Sequence, residues 1–277
     1  MARKPTAPSG LIRVGIGGWS YAPWRGVFYP KGLKQADELA YATSKLTSIE
    51  INATHYRLQN PKSFRTWAAT APDGFVFSVK GPRLVTQQKA LAETGNFIDR
   101  FFKSGLAELG EKLGPVLWQF APFKRFDEVD FGEFLHLLPH ELDGRKLNHV
   151  IEVRHASFST PRFVELLRAF GVTICHVDGE TWPSIADLTG DIVYARLQKG
   201  DDALPAAYPP GELDAWAGRA RTWAQGHTPD DLPLLASAGV WKPEPRDVFI
   251  YFIHEGKLRA PAAAMALIER LKTGAVR

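Results

Sequence analysis

The stretch HVIEVRHASF, residues 149–158, decides how the rest of the chain is interpreted. Its alternating valine and isoleucine predict a strand, and the helical pattern STPRFVELLRAFG begins directly after it. Glu152 and Arg154 lie two residues apart, so both side chains leave the same face of this strand. Charged side chains in an apolar strand are costly to bury unless they are paired. The mouth of a closed barrel tolerates them, and barrel enzymes carry their chemistry there.

The alternation of strand and helix continues along the chain. Eight strand patterns are predicted, at residues 11–19, 47–52, 75–82, 115–120, 149–154, 172–178, 191–197 and 247–253. The longest helical pattern covers residues 94–114, with Thr94 or Asn96 as its cap and Gly114 as its end. Nearly every strand is followed by a helix, except that residues 179–190 allow only a short turn between strands six and seven.

Eight such units predict a single-domain (β/α)8 TIM barrel over residues 12–277, with a reduced helix between strands six and seven. Residues 1–11 are predicted to form a flexible tail. A doubly wound sheet is the alternative, and it usually has fewer strands and a glycine-rich phosphate turn. The GIGGWS stretch after strand one lacks the GxGxxG spacing of such a turn, which favours the barrel.

Composition restricts the class of protein more than its function. The 277 residues are 45% hydrophobic, with a net charge of +4 and a pI near 9.1, which suits anionic partners without requiring them. A single cysteine, Cys175, excludes a disulfide framework. The first ten residues do not resemble a signal peptide, and no apolar run is long enough to cross a bilayer. We therefore expect a cytoplasmic protein with no membrane partner.

Polar residues recur in the carboxyl-terminal halves of the predicted strands. Because residues two apart share a face, these side chains predict two polar layers inside the top of the barrel. The lower layer contains Glu50 and Glu152. The upper layer has a surplus of positive charge, with Lys80, Arg154, Arg196 and Asp178. The predicted inward set also includes Asn52, Ser78, Gln119, His176 and Tyr194. In the opposite register, several of these charges would lie outside among the helices.

The simplest arrangement has the lower carboxylates holding the upper cations, so that the surplus charge meets an anionic group on a ligand. Arginine suits this task because its planar fork matches carboxylate or phosphate. The predicted catalytic residues are Glu50, Lys80, Glu152, His155 and Asp178. The predicted substrate-binding residues add aromatic, amide and guanidinium groups: Trp19, Tyr21, Trp24, Asn52, Tyr56, Gln119, Arg154 and Arg196. The aromatic residues could equally well plug the barrel top.

A metal site is the rival interpretation. Glu50, Glu152 and Asp178 are acceptable ligand types, together with His155 or His176. However, the nearby cations would compete for the carboxylates, and no HxH or HExxH spacing is present. We therefore predict no metal, and the cofactor stays unassigned.

Several ordered blocks resemble the YecE-like family, a domain of unknown function. The resemblance extends from Arg13 to Leu271 and is carried by GIGGWSYAPWRGVFYP, EINATHYRLQ, FVFSVKGPRLVT, LGPVLWQFAP, IEVRHASF and YARL. It implies a TIM barrel, but no particular activity, substrate or cofactor. The residues that match the family pattern are Glu50, Asn52, Lys80, Gln119, Glu152, Arg154, His155, Asp178 and Arg196.

The chain departs from that pattern at three loops. Thr86-Gln87 stands where the family usually has Thr-His, and Gln198-Lys199-Gly200 stands where it usually has His-Gly. Ile253-His254 replaces a pair of asparagines. Two histidines that could move protons are therefore missing from the predicted functional face.

Three hypotheses for function follow. In the first, the protein is an enzyme acting on an anionic small molecule, which Lys80, Arg154 and Arg196 bind while His155 or Asp178 transfers a proton. In the second, it binds or processes nucleic acid, with the mouth aromatics as stacking platforms. In the third, favoured by the missing histidines, it binds a ligand without catalysis.

Overall fold

The computed structural model describes residues 9–236 and 243–273. Eight parallel strands form a closed ring, in which β1 pairs with β2 on one side and with β8 on the other. The strands are β1 (Ile12–Gly17), β2 (Ser48–Ile51), β3 (Val76–Lys80), β4 (Leu113–Gln119), β5 (His149–Glu152), β6 (Thr173–Asp178), β7 (Ile192–Lys199) and β8 (Asp247–Glu255). The predicted (β/α)8 TIM barrel is therefore confirmed.

Within the described ranges, seven helices have eight or more residues. They are α1 (Glu38–Lys45), α2 (Pro61–Thr70), α3 (Gly95–Phe102), α4 (Glu128–Leu137), α5 (Pro161–Phe170), α6 (Pro210–Ala224) and α7 (Ala260–Thr273). Shorter helical turns occupy Ala22–Trp24, Gln35–Asp37, Ala53–Tyr56, Arg83–Thr86, Leu91–Glu93, Leu106–Lys112 and Ala156–Phe158. A small antiparallel hairpin pairs Glu141–Leu142 with Arg145–Lys146. Residues 179–191, all of them described, contain no helix, which confirms the reduced connection between β6 and β7.

Local sequence signals explain several helix ends. The side chains of Asn60, Asp127 and Thr160 each accept a hydrogen bond from the backbone N–H three residues later, at the starts of α2, α4 and α5. Helix α5 ends at Gly171, whose φ of 64° lies in the left-handed region that glycine adopts without strain. These caps fix where each helix leaves the barrel wall.

The long helix predicted over residues 94–114 was wrong. Helix α3 ends at Phe102, and a separate turn, Leu106–Lys112, follows it. Gly105 separates the two with a φ of 107°, and a Cβ there would lie 2.6 Å from Cα of Pro61. Thr94 occupies the N-cap position of α3 as predicted, although its hydroxyl donates to the Leu91 carbonyl and caps no backbone N–H. Gly114 lies inside β4 and does not end the helix. The helical pattern of the sequence continues through residue 105, but the backbone breaks there because glycine can adopt a positive φ.

Residues at the two ends of the chain lie partly outside the description. Strand β1 begins at Ile12, as the predicted boundary requires, but residues 1–8 and 274–277 lie outside the described residues. The predicted tail over 1–11 therefore stays a prediction for most of its length. No helix in the described ranges combines the length and the apolar character needed to span a bilayer.

Candidate functional site

A charged layer closes the barrel interior just below its carboxyl-terminal mouth. It consists of Glu50 from β2, Arg196 from β7 and Glu152 from β5, and both glutamates are fully buried. Arg196 Nη2 donates to Glu50 Oε1 at 2.9 Å, and its Nη1 donates to Glu152 Oε2. The Tyr194 hydroxyl donates to the remaining Glu50 oxygen at 2.8 Å. This layer joins three strands through one guanidinium, which uses the fork geometry that suits carboxylates.

Glu152 is the most heavily used acceptor in the layer. Its Oε1 accepts from Gln119 Nε2 at 2.7 Å and from Arg154 Nε at 2.9 Å. Burial alone raises the pKa of Glu152, but Arg196, Arg154 and Lys80 outweigh burial and lower that pKa to about 2. Glu152 is therefore ionised at neutral pH, and both of its oxygens are occupied.

Below the layer, hydroxyl groups continue the polar contacts into the barrel. Ser78 Oγ lies 2.8 Å from the Tyr194 hydroxyl, and Ser48 Oγ lies 2.6 Å from the Tyr251 hydroxyl. Since Tyr194 donates its proton to Glu50, its oxygen can accept from Ser78, whose hydroxyl proton is shared with the Pro115 carbonyl at 3.1 Å. These contacts confirm that Ser78 and Tyr194 face inward, as their strand parity predicted.

Above the layer, two cations keep donors without partners. Among the described residues, no acceptor lies within hydrogen-bonding or ion-pair distance of Lys80 Nζ, although only 7% of this side chain is exposed. Burial lowers the pKa of Lys80 to about 8; Arg196 adds to this effect, and Glu50 and Glu152 oppose it. Among the described residues, Arg154 makes its side-chain hydrogen bond through Nε to Glu152, and its guanidinium carbon lies 4.8 Å from the centre of the Trp182 ring. Trp182 thus supports Arg154 from the helix-free segment between β6 and β7.

These groups open into a cavity of about 550 Å³ at the mouth. Its lining includes seven of the predicted site residues: Trp24, Asn52, Tyr56, Lys80, Gln119, Arg154 and Arg196. Arg196 reaches it from the layer below, where Glu50 and Glu152 are covered. A cavity of this size suits a small molecule. The structure therefore brings together most of the residues that the strand parity singled out.

Asp178 does not share this face, and the predicted inward orientation of His176 and Asp178 was wrong. His176 packs outside the barrel against Trp216 and Trp223 of α6, with ring centroids 5.8 and 6.2 Å away. Asp178 has the same parity and pairs with Lys199 at 2.9 Å. In the sequence TICHVD, the inward positions are the small apolar ones, Cys175 and Val177. Helix α6 buries the outer face of β6, so both faces of this strand are covered. The sequence alone therefore does not show whether His176 and Asp178 face the barrel interior or the helix.

Three other predicted residues also lie away from the cavity lining. His155 Nδ1 accepts the Ser157 backbone N–H at 3.0 Å, so this histidine caps the turn after β5. Trp19 packs edge-on against Trp67 of α2 at 5.3 Å. Tyr21 contacts Trp24 at 5.3 Å and lies 4.3 Å below the Lys257 ammonium. Loop residues have no periodicity that shows where their side chains point. The sequence therefore could not distinguish Trp24, which lines the cavity, from these three residues, which do not.

Strand parity missed several residues at the mouth. They are Ser20, His254, Glu255 and Lys257 in the cavity lining. Trp182 follows β6 and is one of the aromatic residues that the sequence places in the mouth loops, but its contact with Arg154 was not predicted. At the positions that depart from the family pattern, His254 adopts a φ of 69° and pairs with Glu255, and Gln198 is buried with Nε2 lacking a partner in the described residues. Gln198 follows Arg196 by two residues on β7, a spacing that could have identified it.

The geometry does not resemble a metal centre within the described ranges. There, no three His, Cys, Asp or Glu side chains form a cluster that could hold a metal ion. The oxygens of Glu50 and Glu152 instead accept hydrogen bonds from Arg196, Arg154, Gln119 and Tyr194.

Known proteins are similar to this chain in sequence and in fold. The family model described as "Protein of unknown function DUF72" matches residues 13–276. The UPF0759 protein YecE of Escherichia coli K12 is 27% identical over 149 residues, which are 53% of this chain and 50% of that protein. The chain thus spans about half the length of the curated relatives it matches.

Two solved structures are similar over nearly the whole chain. A DUF72 family protein from Thermotoga maritima is 22% identical with a TM-score of 0.69, covering 96% of this chain and 100% of that one. A DUF72 family protein from Enterococcus faecalis V583 is 17% identical with a TM-score of 0.69, covering 96% and 99%. These likenesses show the fold, and the sequence match shows the family. The chain therefore belongs to the DUF72 family, to which the YecE-like blocks of its sequence pointed.

Proposed function

We propose that the barrel mouth binds a small anionic molecule through a carboxylate or phosphate group. One observation carries the proposal: free donors of Lys80 and Arg154 face a cavity whose neighbouring carboxylates are already occupied. All four oxygens of Glu50 and Glu152 accept hydrogen bonds from the protein. A further carboxylate of the lining, Glu255, pairs with His254 and is balanced in charge by Lys257. The site around Lys80 and Arg154 is therefore rich in donors, which favours an anion over a metal cation.

The charge balance supports the same conclusion. Lys80, Arg154 and Arg196 carry three positive charges against the two negative charges of the buried glutamates. Arg196 has both terminal nitrogens committed to those glutamates, so it contributes positive charge from below. Arg154, held at Nε by Glu152 and at its face by Trp182, keeps its terminal nitrogens for the ligand. Arg154 is therefore positioned to contact the ligand, whereas Arg196 lies beneath it in the charged layer.

The direct test is calorimetric titration of the protein with sulfate. We expect saturable binding, and we expect Arg154→Met to weaken it by about 1.5–3 kcal/mol, the scale of a charged hydrogen bond. Lys199→Met is the matched control, because Lys199 ends β7 near the mouth but pairs with Asp178. Equal weakening in both variants would mean that sulfate is attracted by the overall positive potential of the mouth and not by a specific contact with Arg154. Tight binding of Mg²⁺, Mn²⁺ or Zn²⁺ with no response to sulfate would contradict the proposal.

The pH dependence of sulfate binding tests the part played by Lys80. Its pKa of about 8 means that the ammonium is lost as the pH rises through that value, while sulfate keeps its charge. We expect affinity to fall by roughly tenfold between pH 7 and pH 9.5, since one charged donor is removed. Lys80→Arg should bind sulfate with little change over this range, because arginine stays protonated. An unchanged affinity in the wild-type protein would remove Lys80 from the site.

A second candidate function is binding of single-stranded nucleic acid. It is favoured by exposed aromatic rings that follow strands at the mouth end, Tyr56 at 67% and Phe123 at 65% exposure. The Arg83 guanidinium carbon lies 5.8 Å from the centre of the Tyr56 ring, so a base could stack beside a cation. An oligonucleotide affinity that falls steeply with salt, and that Tyr56→Ala weakens, would favour this function over a small anion.

A further inference from the structure

Lys80 differs from the other buried lysine of comparable exposure. Lys124 is 8% exposed, and its Nζ donates to Asp130 Oδ2 at 2.7 Å and to the Lys89 carbonyl at 2.8 Å. Lys80 is 7% exposed, and its Nζ has no such partner among the described residues. A buried amine without an acceptor costs free energy, so a purely structural lysine would be paired as Lys124 is. Lys80 instead presents its amine to the cavity.

The surroundings of Lys80 also keep part of its amine uncharged. With a pKa of about 8, roughly a tenth of Lys80 is neutral at pH 7, against well under a hundredth for an ordinary lysine. Desolvation and a neighbouring cation are the usual means by which a lysine becomes a nucleophile. Both are present here, since Lys80 is buried and Arg196 lies close enough to lower its pKa.

Other groups near the mouth are less suited to act as a buried nucleophile. Cys175 faces the barrel interior below the charged layer, and burial raises its thiol pKa well above the usual value. Each oxygen of Glu50 and Glu152 already accepts a hydrogen bond, and both side chains are fully buried. Arg154 and Arg196 are cations without a usable lone pair. Ser20, His254 and Lys257 also line the cavity, but His254 pairs with Glu255 and the Lys257 ammonium lies over the Tyr21 ring. Lys80 is therefore the buried, unpaired amine that the cavity presents in the described part of the chain.

We propose that Lys80 forms an imine with an anionic carbonyl compound, a 2-oxo acid or an aldehyde bearing a carboxylate or phosphate group. The proposal rests on the anion site described above and gives its two cations different tasks. Arg154 binds the anionic group, and Lys80 reacts with the carbonyl carbon. Arg154 is held by Glu152 and Trp182 in a position to bind the anionic group. The unpaired amine of Lys80 is therefore available to react with the carbonyl carbon.

The reaction balances without any further reagent. The neutral Nζ adds its lone pair to the carbonyl carbon, and the carbonyl oxygen takes up a proton to give a carbinolamine. Nitrogen then loses one proton, the hydroxyl group leaves as water after protonation as a C=N bond forms, and the resulting iminium nitrogen loses its second proton to give the imine. The net change is amine plus carbonyl giving imine plus water. The open mouth lets water exchange these protons, since Arg154 keeps 19% of its side chain exposed.

Reductive trapping tests the imine directly. The full chain is incubated at pH 8 with glyoxylate and cyanoborohydride, digested, and mapped by mass spectrometry for carboxymethyl-lysine. We expect labelling of Lys80 about tenfold or more faster than labelling of the exposed Lys31 or the paired Lys124, because the neutral fraction is larger. Sulfate should slow the labelling of Lys80 alone. Labelling of Lys80 no faster than that of Lys31 would overturn the proposal.

A neutral aldehyde separates this proposal from the anion site. Acetaldehyde should label Lys80 more slowly than glyoxylate. Arg154→Met should slow glyoxylate more than acetaldehyde, because loss of the nearby cation affects the amine equally with both aldehydes, while loss of the anion contact affects glyoxylate alone. If sulfate binds but Lys80 is not labelled preferentially, the imine is wrong and the anion site stands. If both aldehydes label Lys80 equally and sulfate has no effect, the amine is reactive but the anionic substrate class is wrong.

Discussion

Replacing Glu152 with glutamine should lower the free energy of unfolding by about 3–5 kcal/mol, the usual loss when one partner of a buried ion pair is removed. The variant leaves Arg196, Arg154 and Lys80 with Glu50 as the single carboxylate among them. The new amide nitrogen would also face donors where the carboxylate accepted. Urea-induced unfolding at pH 7 measures the difference.

Acid unfolding gives the same prediction a second readout. The pKa of Glu152 is lowered to about 2, so its contribution is complete above the ordinary glutamate value and is lost as the pH falls toward 2. The Glu152→Gln variant should lose less stability than the wild type across that range. Glu128→Gln, which removes an exposed partner of Arg162, is the control and should leave stability unchanged. A Glu152→Gln variant as stable as the wild type would show that the layer is not held by this charge.

Replacing Lys80 with methionine should have the opposite effect and raise stability at pH 7 by about 2–3 kcal/mol. Lys80 is protonated at that pH although burial opposes its charge, so the folded state carries a cost that methionine removes. Because the folded pKa of Lys80 lies below the unfolded value, the wild type gains stability between pH 8 and about 10.5. The advantage of the variant should therefore shrink as the pH rises.

Denaturant midpoints measured from pH 7 to pH 10 test this expectation. Lys124→Met is the matched control, since it removes an equally buried lysine whose ammonium is paired with Asp130. That variant should be less stable than the wild type at pH 7. Should Lys80→Met prove destabilising in the same way, Lys80 has a structural partner, and its amine is not held in reserve for a ligand. A residue that costs stability at a binding site is retained for function.

The strand alternation predicted the fold and much of the site for a physical reason. Glu50, Glu152 and Arg196 lie within strands, where the period of two fixes the direction of a side chain once one neighbour is known to face inward. The pairing of carboxylates below with cations above also followed, because buried charges must be compensated. These parts of the prediction depended on local geometry that the chain cannot easily override.

The remaining errors occurred where the sequence carries two interpretations. His176 and Asp178 alternate as regularly as Cys175 and Val177, and only the packing of α6 shows which pair faces outward. Trp182 lies in a segment without helix or strand, so no period relates it to Arg154. A contact between distant segments, such as that of Arg154 with Trp182, depends on how the closed barrel brings them together. The pattern of a single strand does not predict it.

The Glu50–Arg196 ion pair has a consequence for synthesis of the chain. The two residues are 146 positions apart, so the pair cannot form until β7 has been made. A nascent chain that ends before residue 192 holds Glu50 and Glu152 without the guanidinium that joins them. Since domains fold as units during synthesis, the charged layer opposes early closure of the first strands around a carboxylate pair. Completion of the charged layer therefore requires that β7 has been translated.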